Sequence, residues 1–294
     1  MIWLLLSILS STAIMLIFKS FKQFKVSTFH AIVINYFTAM ALGIPFVNDW
    51  EVVATSYTDW YAYALILGAL FISLFFLIGK TTQELGISVA TVSMKLGYVL
   101  PIFLAFTLYK EPITNIKLFA IILTIIAVVL SSLKDKKEEH QFEGKKWLFL
   151  LPLIIFVGSG ICDAIVQFTE KSFFQRSGFE AFLIILFFTA ASLGTMAAIF
   201  HDVRKKKNHF TLKNILAGII LGIPNYFSIY FLFKALNFYS NNSAAVFPLN
   251  NVGIVVASTL IAVVAFEEKL SVKNVIGFIL AILSIILMSI EHLF

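Results

Sequence analysis

Long apolar runs separated by short polar turns fill this chain from end to end. A helix needs about 20 apolar residues to cross the hydrocarbon core of a bilayer. Ten runs approach that length: 2–18, 28–47, 61–79, 87–108, 115–133, 147–168, 179–200, 214–234, 243–266 and 273–290. They are continuously apolar rather than alternating, which predicts helices and not the period-two strands of a membrane barrel. The connections are short, so neighbouring helices are expected to run antiparallel. The longest polar stretch, 134–146, carries five lysines and four acids and divides the chain near its centre. The expected organisation is a five-helix unit over 1–133, a charged linker over 134–146 and a second five-helix unit over 147–294.

The two halves repeat each other in residues as well as in hydropathy. Lys19-Ser20-Phe21-Lys22-Gln23 returns as Lys171-Ser172-Phe173-Phe174-Gln175, and Phe37-Thr38-Ala39-Met40-Ala41-Leu42-Gly43 as Phe188-Thr189-Ala190-Ala191-Ser192-Leu193-Gly194. Leu65-Ile66-Leu67-Gly68 matches Ile219-Ile220-Leu221-Gly222, with Lys80 and Lys234 following at equal distance. The stretch from Ile87-Ser88-Val89-Ala90 to Lys110-Glu111-Pro112 lines up with Ala244-Ala245-Val246-Phe247 to Glu267-Glu268-Lys269. The matches keep one order. An odd number of helices per unit brings the second copy into the membrane from the opposite side, which predicts inverted repeats about an axis in the membrane plane.

Composition strengthens this picture. Sixty per cent of the 294 residues are apolar and 13% are charged, against about 45–50% and about 25% in soluble domains. The reading is an all-α integral membrane protein with ten transmembrane helices, expected in a bacterial plasma membrane. The net charge of +6 is no sign of nucleic acid, because the basic residues lie mostly in short loops. Loops after helices 1, 3, 5, 7 and 9 hold 16 of the 22 Lys and Arg, so those loops are expected on the cytoplasmic side and both termini outside. The first run lacks the basic flank and cleavage site of a signal peptide and is expected to remain as a span. Cys162 is the one cysteine, which excludes an internal disulfide.

Ionisable and amide groups within the spans are the candidates for chemistry. Lys95 lies eight residues into the fourth run, about 12 Å deep, with Ser88, Thr91 and Tyr98 on its helical face. A charge at that depth costs at least ~2.5 kcal/mol, so it needs water, a carboxylate or a bound group to stay charged. The competing reading is a lysine paired only to fix packing. Asp163 has three open roles: proton carrier, counter-ion to Lys95, or an acid near a helix end at the headgroups. Asn250 and Asn251, Asn225 beside Tyr226 after Pro224, and Asn35 with Tyr36 and Thr38 form further polar patches. Each amide could equally serve interhelical hydrogen bonding, worth about 0.6 kcal/mol on average. The expected site is a cavity between helices 4 and 9, with Lys95 opposite Asn250 and Asn251, Tyr98 and Asn225 within reach, Asn35 nearby and Asp163 as counter-ion. Gly218-x-x-x-Gly222 and Gly160-x-x-x-Ala164 suit close helix packing, or less simply a homodimer. Lys80 and Lys234 read as headgroup anchors. The histidines, His30 and His201 among them, show no metal-ligand spacing, and no metal or cofactor is expected.

A small-residue start, a long fourth helix, an acidic turn and a fifth helix recur in each half. They are Gly86-Ile87-Ser88-Val89-Ala90 leading to Lys110-Glu111-Pro112, and Asn242-Ser243-Ala244-Ala245 leading to Glu267-Glu268-Lys269. In this the chain resembles the EamA-type branch of the drug/metabolite transporter superfamily over essentially its whole length. The resemblance implies two five-helix repeats and transport, and leaves the solute open among amino acids, sugars, nucleotide sugars, drugs and other metabolites.

The function expected is secondary transport of a small polar or amphipathic metabolite by alternating access, as an exporter or exchanger among other modes. No phosphate loop is present for ATP to drive it. Lys95 makes a carboxylate-bearing solute the first expectation. The partners are then the solute and membrane lipid, not nucleic acid. The alternative is an integral-membrane enzyme acting on a lipid-linked substrate, which would need a cluster of His, Asp or Glu at the membrane surface. A channel would need a ring of equivalent polar residues, which two unequal repeats do not supply. The charge bias yields a direct prediction of topology. A cysteine placed after Phe294 is expected to react with an impermeant thiol reagent on intact cells, and labelling only after lysis would reverse the orientation.

Overall fold

Hydrocarbon supplies no hydrogen-bond partners, so each backbone N–H and C=O in a lipid-soluble segment must find its partner within the protein. The chain solves this with helices. A computed structural model of the protein describes residues 2–47, 57–100, 115–132, 146–173, 179–206, 209–238 and 243–293. Among these residues there are ten α-helices and no strand: α1 (Ile2–Gln23), α2 (Thr28–Gly43), α3 (Tyr57–Glu84), α4 (Ile87–Leu96), α5 (Asn115–Ser132), α6 (Leu151–Phe173), α7 (Phe179–Lys205), α8 (Leu212–Phe238), α9 (Ser243–Phe266) and α10 (Val272–Leu293). Single 3-10 turns follow α2 at Ile44–Phe46 and precede α6 at Lys146–Leu150. By length and composition α1, α2, α3, α7, α8 and α9 can each cross a membrane, while α4, α5, α6 and α10 carry shorter apolar stretches. The 134–146 linker lies outside the described residues.

Two elements differ from the hydropathy reading. The run 87–108 predicts one long helix; α4 is interrupted after Leu96 by a turn at Gly97 and Tyr98, helix resumes at Val99 and Leu100, and 101–108 lie outside the described residues. The Leu100 amide donates to the Gly97 carbonyl at 2.9 Å, a tight i to i+3 bond. Pro101, the residue that would close the ordinary i to i+4 bond onto Gly97, has no N–H to give. Hydropathy cannot register that loss. Conversely, α6 runs on to Phe173, past the end of its apolar stretch.

The bundle is held by close crossings of small residues. α2 packs against α7 and α8, α3 against α6 and α7, α1 against α8 and α9, α4 against α6 and α9, and α5 against α10. At the α2–α8 crossing, a methyl group on Gly218 or Gly222 would lie 2.6 or 2.7 Å from the carbonyl oxygens of Ala31 and Asn35. The Gly218-x-x-x-Gly222 motif is therefore used inside the chain, against α2, and not as a face left open for a dimer. Between α5 and α10 the small residues Ala120, Thr124, Ala127, Ala281 and Ser284 are all buried. There the Thr124 and Ser284 hydroxyls bond each other, and Ser284 Oγ donates to the Ala120 carbonyl at 3.0 Å. Large rings fill the interior around these contacts. Phe18, Tyr36, Phe182 and Phe187 are buried, while Phe119, Phe188 and Phe200 face outward with rows of Ile, Leu and Val. Apolar outside as well as inside is the distribution a lipid environment permits.

One charged knot ties the halves. Glu268, in the acidic turn after α9, sets Oε1 2.7 Å from Lys19 Nζ at the end of α1. The same oxygen accepts the first amide of α4, Ile87 N–H, at 2.9 Å. Gly86 precedes it at φ +112, and a methyl there would meet the Glu268 carboxylate at 2.9 Å, so both conformation and space demand glycine. Lys80 and Lys234, read as headgroup anchors, each lie over an aromatic ring, Trp147 at 4.2 Å and Tyr230 at 5.4 Å.

The α2–α8 crossing generates a stability prediction. Gly222→Ala forces a methyl against the Asn35 carbonyl and is expected to cost about 1–3 kcal/mol. The measurement is the melting temperature of the detergent-purified protein, and an unchanged value would refute so close a crossing.

Candidate functional site

The α4 break puts Lys95 in the last helical turn, where a cation is favoured by the C-terminal end of the helix dipole. The break is packed directly on α6. Ser159 Oγ donates to the Met94 carbonyl at 2.9 Å, satisfying one acceptor of the interrupted helix. A methyl on Gly97 would lie 2.7 Å from the Gly160 backbone nitrogen, so the two segments touch through glycines. This contact places α4 beside the helix that carries Asp163.

Asp163 is within electrostatic reach of both Lys95 and Tyr98. Asp163 is exposed at its surface, and Lys95 and Tyr98 are half-buried. Among the described residues neither Lys95 nor Asp163 has a direct ion-pair partner. They attract across a gap. Asp163 stands ten residues, about 15 Å, before the end of α6 and three residues before the end of its apolar stretch at Val166. Cys162 is buried next to it, and Tyr36 of α2 is in electrostatic contact with Cys162. The Tyr36 hydroxyl is buried and has no hydrogen-bond partner among the described residues.

The remaining sequence candidates spread out. Asn35 is fully buried, its amide nitrogen 3.4 Å from the Ile32 carbonyl. Asn225 is buried in α8, and Asn250 and Asn251 in α9. Among the described residues Asn35 Oδ1, Asn225 Nδ2 and Asn250 Oδ1 have no hydrogen-bond partner. Among the described residues neither of this pair hydrogen-bonds Lys95. α9 meets α4 through apolar side chains, Val255 joining Val92, Leu96 and Val99 in one cluster. Both α9, with Asn250 and Asn251, and α6, with Asp163, pack against the helix that carries Lys95. The Ser88–Thr91–Lys95–Tyr98 stripe also divides. Thr91 Oγ1 bonds the Ile87 carbonyl at 2.9 Å, and Ser88 lines a small cavity with Thr259 of α9. A larger cleft of about 470 Å³ between α3 and α7 is walled by Phe29, Ile72, Phe76, Leu77 and Leu193, with Ser73 its one polar side chain. It offers a polar solute little to bind.

The fold also brings together residues that sequence spacing keeps apart. His30, His201, Asp202 and His209 offer ligand atoms within 4.8 Å of one another. They come from the start of α2, the last turns of α7 and the segment before α8, so no local motif announces them.

No protein-family model matches the chain. A Haemophilus influenzae protein of uncharacterised function is 27% identical over 288 residues, covering 96% of this chain and 95% of that one. A Bacillus cereus protein provisionally named a sugar uptake protein is 29% identical over 202 residues, 67% of this chain and 66% of its own length. A Priestia megaterium protein provisionally named a glucose uptake protein is 28% identical over 171 residues, covering 57% of this chain and 54% of that one. A solved crystal structure superposes over 97% of both chains with a TM-score of 0.55 at 14% identity, a likeness of fold alone.

The gap between the two charges makes a testable coupling. Lys95→Met or Asp163→Asn alone strands one charge, whereas the double substitution removes both. The double variant is expected to melt higher than the sum of the single losses predicts, by a coupling of about 0.5–3 kcal/mol. Strict additivity would separate the two residues.

Proposed function

We propose that the chain is a secondary transporter of a small neutral, hydroxyl-rich solute of the sugar class. The observation that carries this reading is the Lys95–Asp163 pair: a lysine and an aspartate on the packed helices α4 and α6, both reachable from the surface, within electrostatic reach of one another and, among the described residues, without a direct ion pair. Their charges sum to zero, so the pair suits a neutral or zwitterionic solute better than the carboxylate-bearing one that Lys95 alone suggests. A polyol matches both sides, since its hydroxyls donate to the Asp163 carboxylate and accept from the Lys95 ammonium. Charge-assisted hydrogen bonds of this kind are roughly twice as strong as neutral ones. Tyr98, half-buried and within electrostatic reach of Asp163, adds a third polar group. The names of the Bacillus and Priestia relatives, both uptake proteins, agree with this solute class and favour import.

The mechanism that fits is alternating access between two five-helix units, residues 1–133 and 147–294, of the EamA type. The packing supports it. Exchanging each helix with the one five positions on turns the α2–α8 contact into α7–α3, the α1–α8 contact into α6–α3, and the α1–α9 contact into α6–α4, and all of these pairs pack together. Gly68, the counterpart of Gly222 in the repeat, likewise approaches the Leu186 carbonyl of α7. In such an arrangement the break in α4 lies beside the solute path, and rocking of the units would open Lys95 and Asp163 to either side in turn.

Flux tests this reading. Reconstituted in liposomes, the protein is expected to exchange a labelled monosaccharide saturably across a membrane without ATP. Lys95→Met should lower that exchange at least tenfold while the protein still elutes and melts as a folded bundle. Saturable flux of amino acids but of no sugar would replace the solute class, and normal flux through Lys95→Met would remove the site.

A further inference from the structure

At the end of the bundle formed by the α1–α2 and α7–α8 connections, three imidazoles converge on one carboxylate oxygen. Asp202 Oδ1 lies 2.7 Å from His209 Nδ1, 3.1 Å from His30 Nε2 and 3.4 Å from His201 Nδ1. That oxygen has two lone pairs for three ring nitrogens, so hydrogen bonding alone does not account for the convergence. We infer that His30, His201, Asp202 and His209 form a binding site for a divalent transition-metal ion of the zinc class, independent of the solute path.

The donor set selects the metal. Three imidazoles and one carboxylate suit zinc, cobalt or nickel, whereas magnesium and calcium take oxygen ligands. A tetrahedral ion with bonds of about 2.0–2.1 Å holds its ligands roughly 3.4 Å apart. The three nitrogen-to-oxygen separations, 2.7, 3.1 and 3.4 Å, run up to that value, and every pair of ligand atoms lies within 4.8 Å. His201, the most exposed of the four at 46%, already stands at that spacing, and the remaining adjustment falls on His209, at 2.7 Å and 31% exposed.

The surroundings are those of a metal site. Metal-bound imidazoles usually hand their second nitrogen to a fixed partner, which sets the tautomer. Here Ser27 Oγ lies 2.7 Å from His30 Nδ1, leaving Nε2 for the shared centre. The second Asp202 oxygen accepts the His209 amide at 2.9 Å, which orients the carboxylate. Asn214 closes the ring: its Nδ2 donates to the His209 carbonyl at 2.6 Å and its Oδ1 accepts the Ser27 amide at 2.9 Å. The His30 and His209 rings stack at 5.0 Å, and Phe210 covers His30 edge-on at 4.9 Å. His30 itself is 2% exposed, so its coordinating face is built in rather than recruited from a mobile surface. An ion bound here would pin α2 to the end of α7 and to the segment that starts α8.

Cobalt titration of the full chain, purified in detergent without a polyhistidine tag, tests the site. The expected result is one Co²⁺ per chain with the strong visible absorption of a tetrahedral complex, displaced by one Zn²⁺. His201→Gln, at the exposed ligand, should keep the melting temperature of the metal-free protein and weaken Co²⁺ binding by more than about tenfold. Ser27→Ala, which touches no metal, should weaken it by about 10–100-fold. Absence of stoichiometric Co²⁺ uptake by the wild-type protein would overturn the inference. So would uptake unchanged in a folded His201→Gln, His209→Gln double variant. Neither result bears on solute flux, so the transport reading stands or falls separately.

Discussion

The demand that every polar group find a partner without water governs this molecule. The backbone meets it with helices, and most hydroxyls meet it by folding back on their own helix. Thr38, Ser73, Thr82, Thr91, Ser93, Thr124, Thr189 and Thr195 each bond the carbonyl four residues behind. A hydroxyl closed in this way costs little in hydrocarbon and offers little to a solute. Against that background the open groups stand out among the described residues: Lys95 and Asp163 without an ion pair, and Tyr36, Asn35, Asn225 and Asn250, with Thr12, Thr81, Ser88 and Thr259, each with an unbonded polar atom.

Most of the helix count was legible because continuous apolarity and charged turns are local signals. The ten runs and the ten helices correspond in order, and the glycine motif at 218–222 packs as its spacing suggests. The break in α4 was not legible from hydropathy, since Leu100 and Pro101 are both apolar while only one of them can donate a backbone hydrogen bond. The site was half legible. Lys95 and Asp163 are conspicuous as charges within spans, but which helix faces which is a matter of packing. Gly97 and Gly160 decide it by allowing α4 and α6 to touch, and no pattern within either helix alone carries that information. The histidine cluster was invisible for the same reason: its ligands lie up to 179 positions apart, between His30 and His209.

The short helix α4 shows how these constraints combine. Its N-terminus receives the Glu268 carboxylate and its last turn carries Lys95, so each end meets the charge that its dipole favours. Glu268 is fixed in turn by Lys19, which joins α1, α4 and the α9–α10 turn in one ion pair. The opposite end rests on Ser159 and Gly160 of α6. A ten-residue helix is too short to be stable on propensity alone, and here each terminus is held by a different part of the bundle.

That arrangement bears on how a solute could be coupled to movement. α4 belongs to the first half by sequence, but the contacts that fix its two ends, Glu268 and Ser159, come from the second. Any displacement of one half against the other must therefore strain or carry α4, and Lys95 with it. Lys95 is within electrostatic reach of Asp163, also of the second half, and the solute site proposed above lies between them. A molecule bridging the two charges would bind most tightly at one separation of the halves and less tightly at others. Differential affinity of that kind is the only means by which a ligand can shift a conformational equilibrium, and the break beside Lys95 is where this chain can express it.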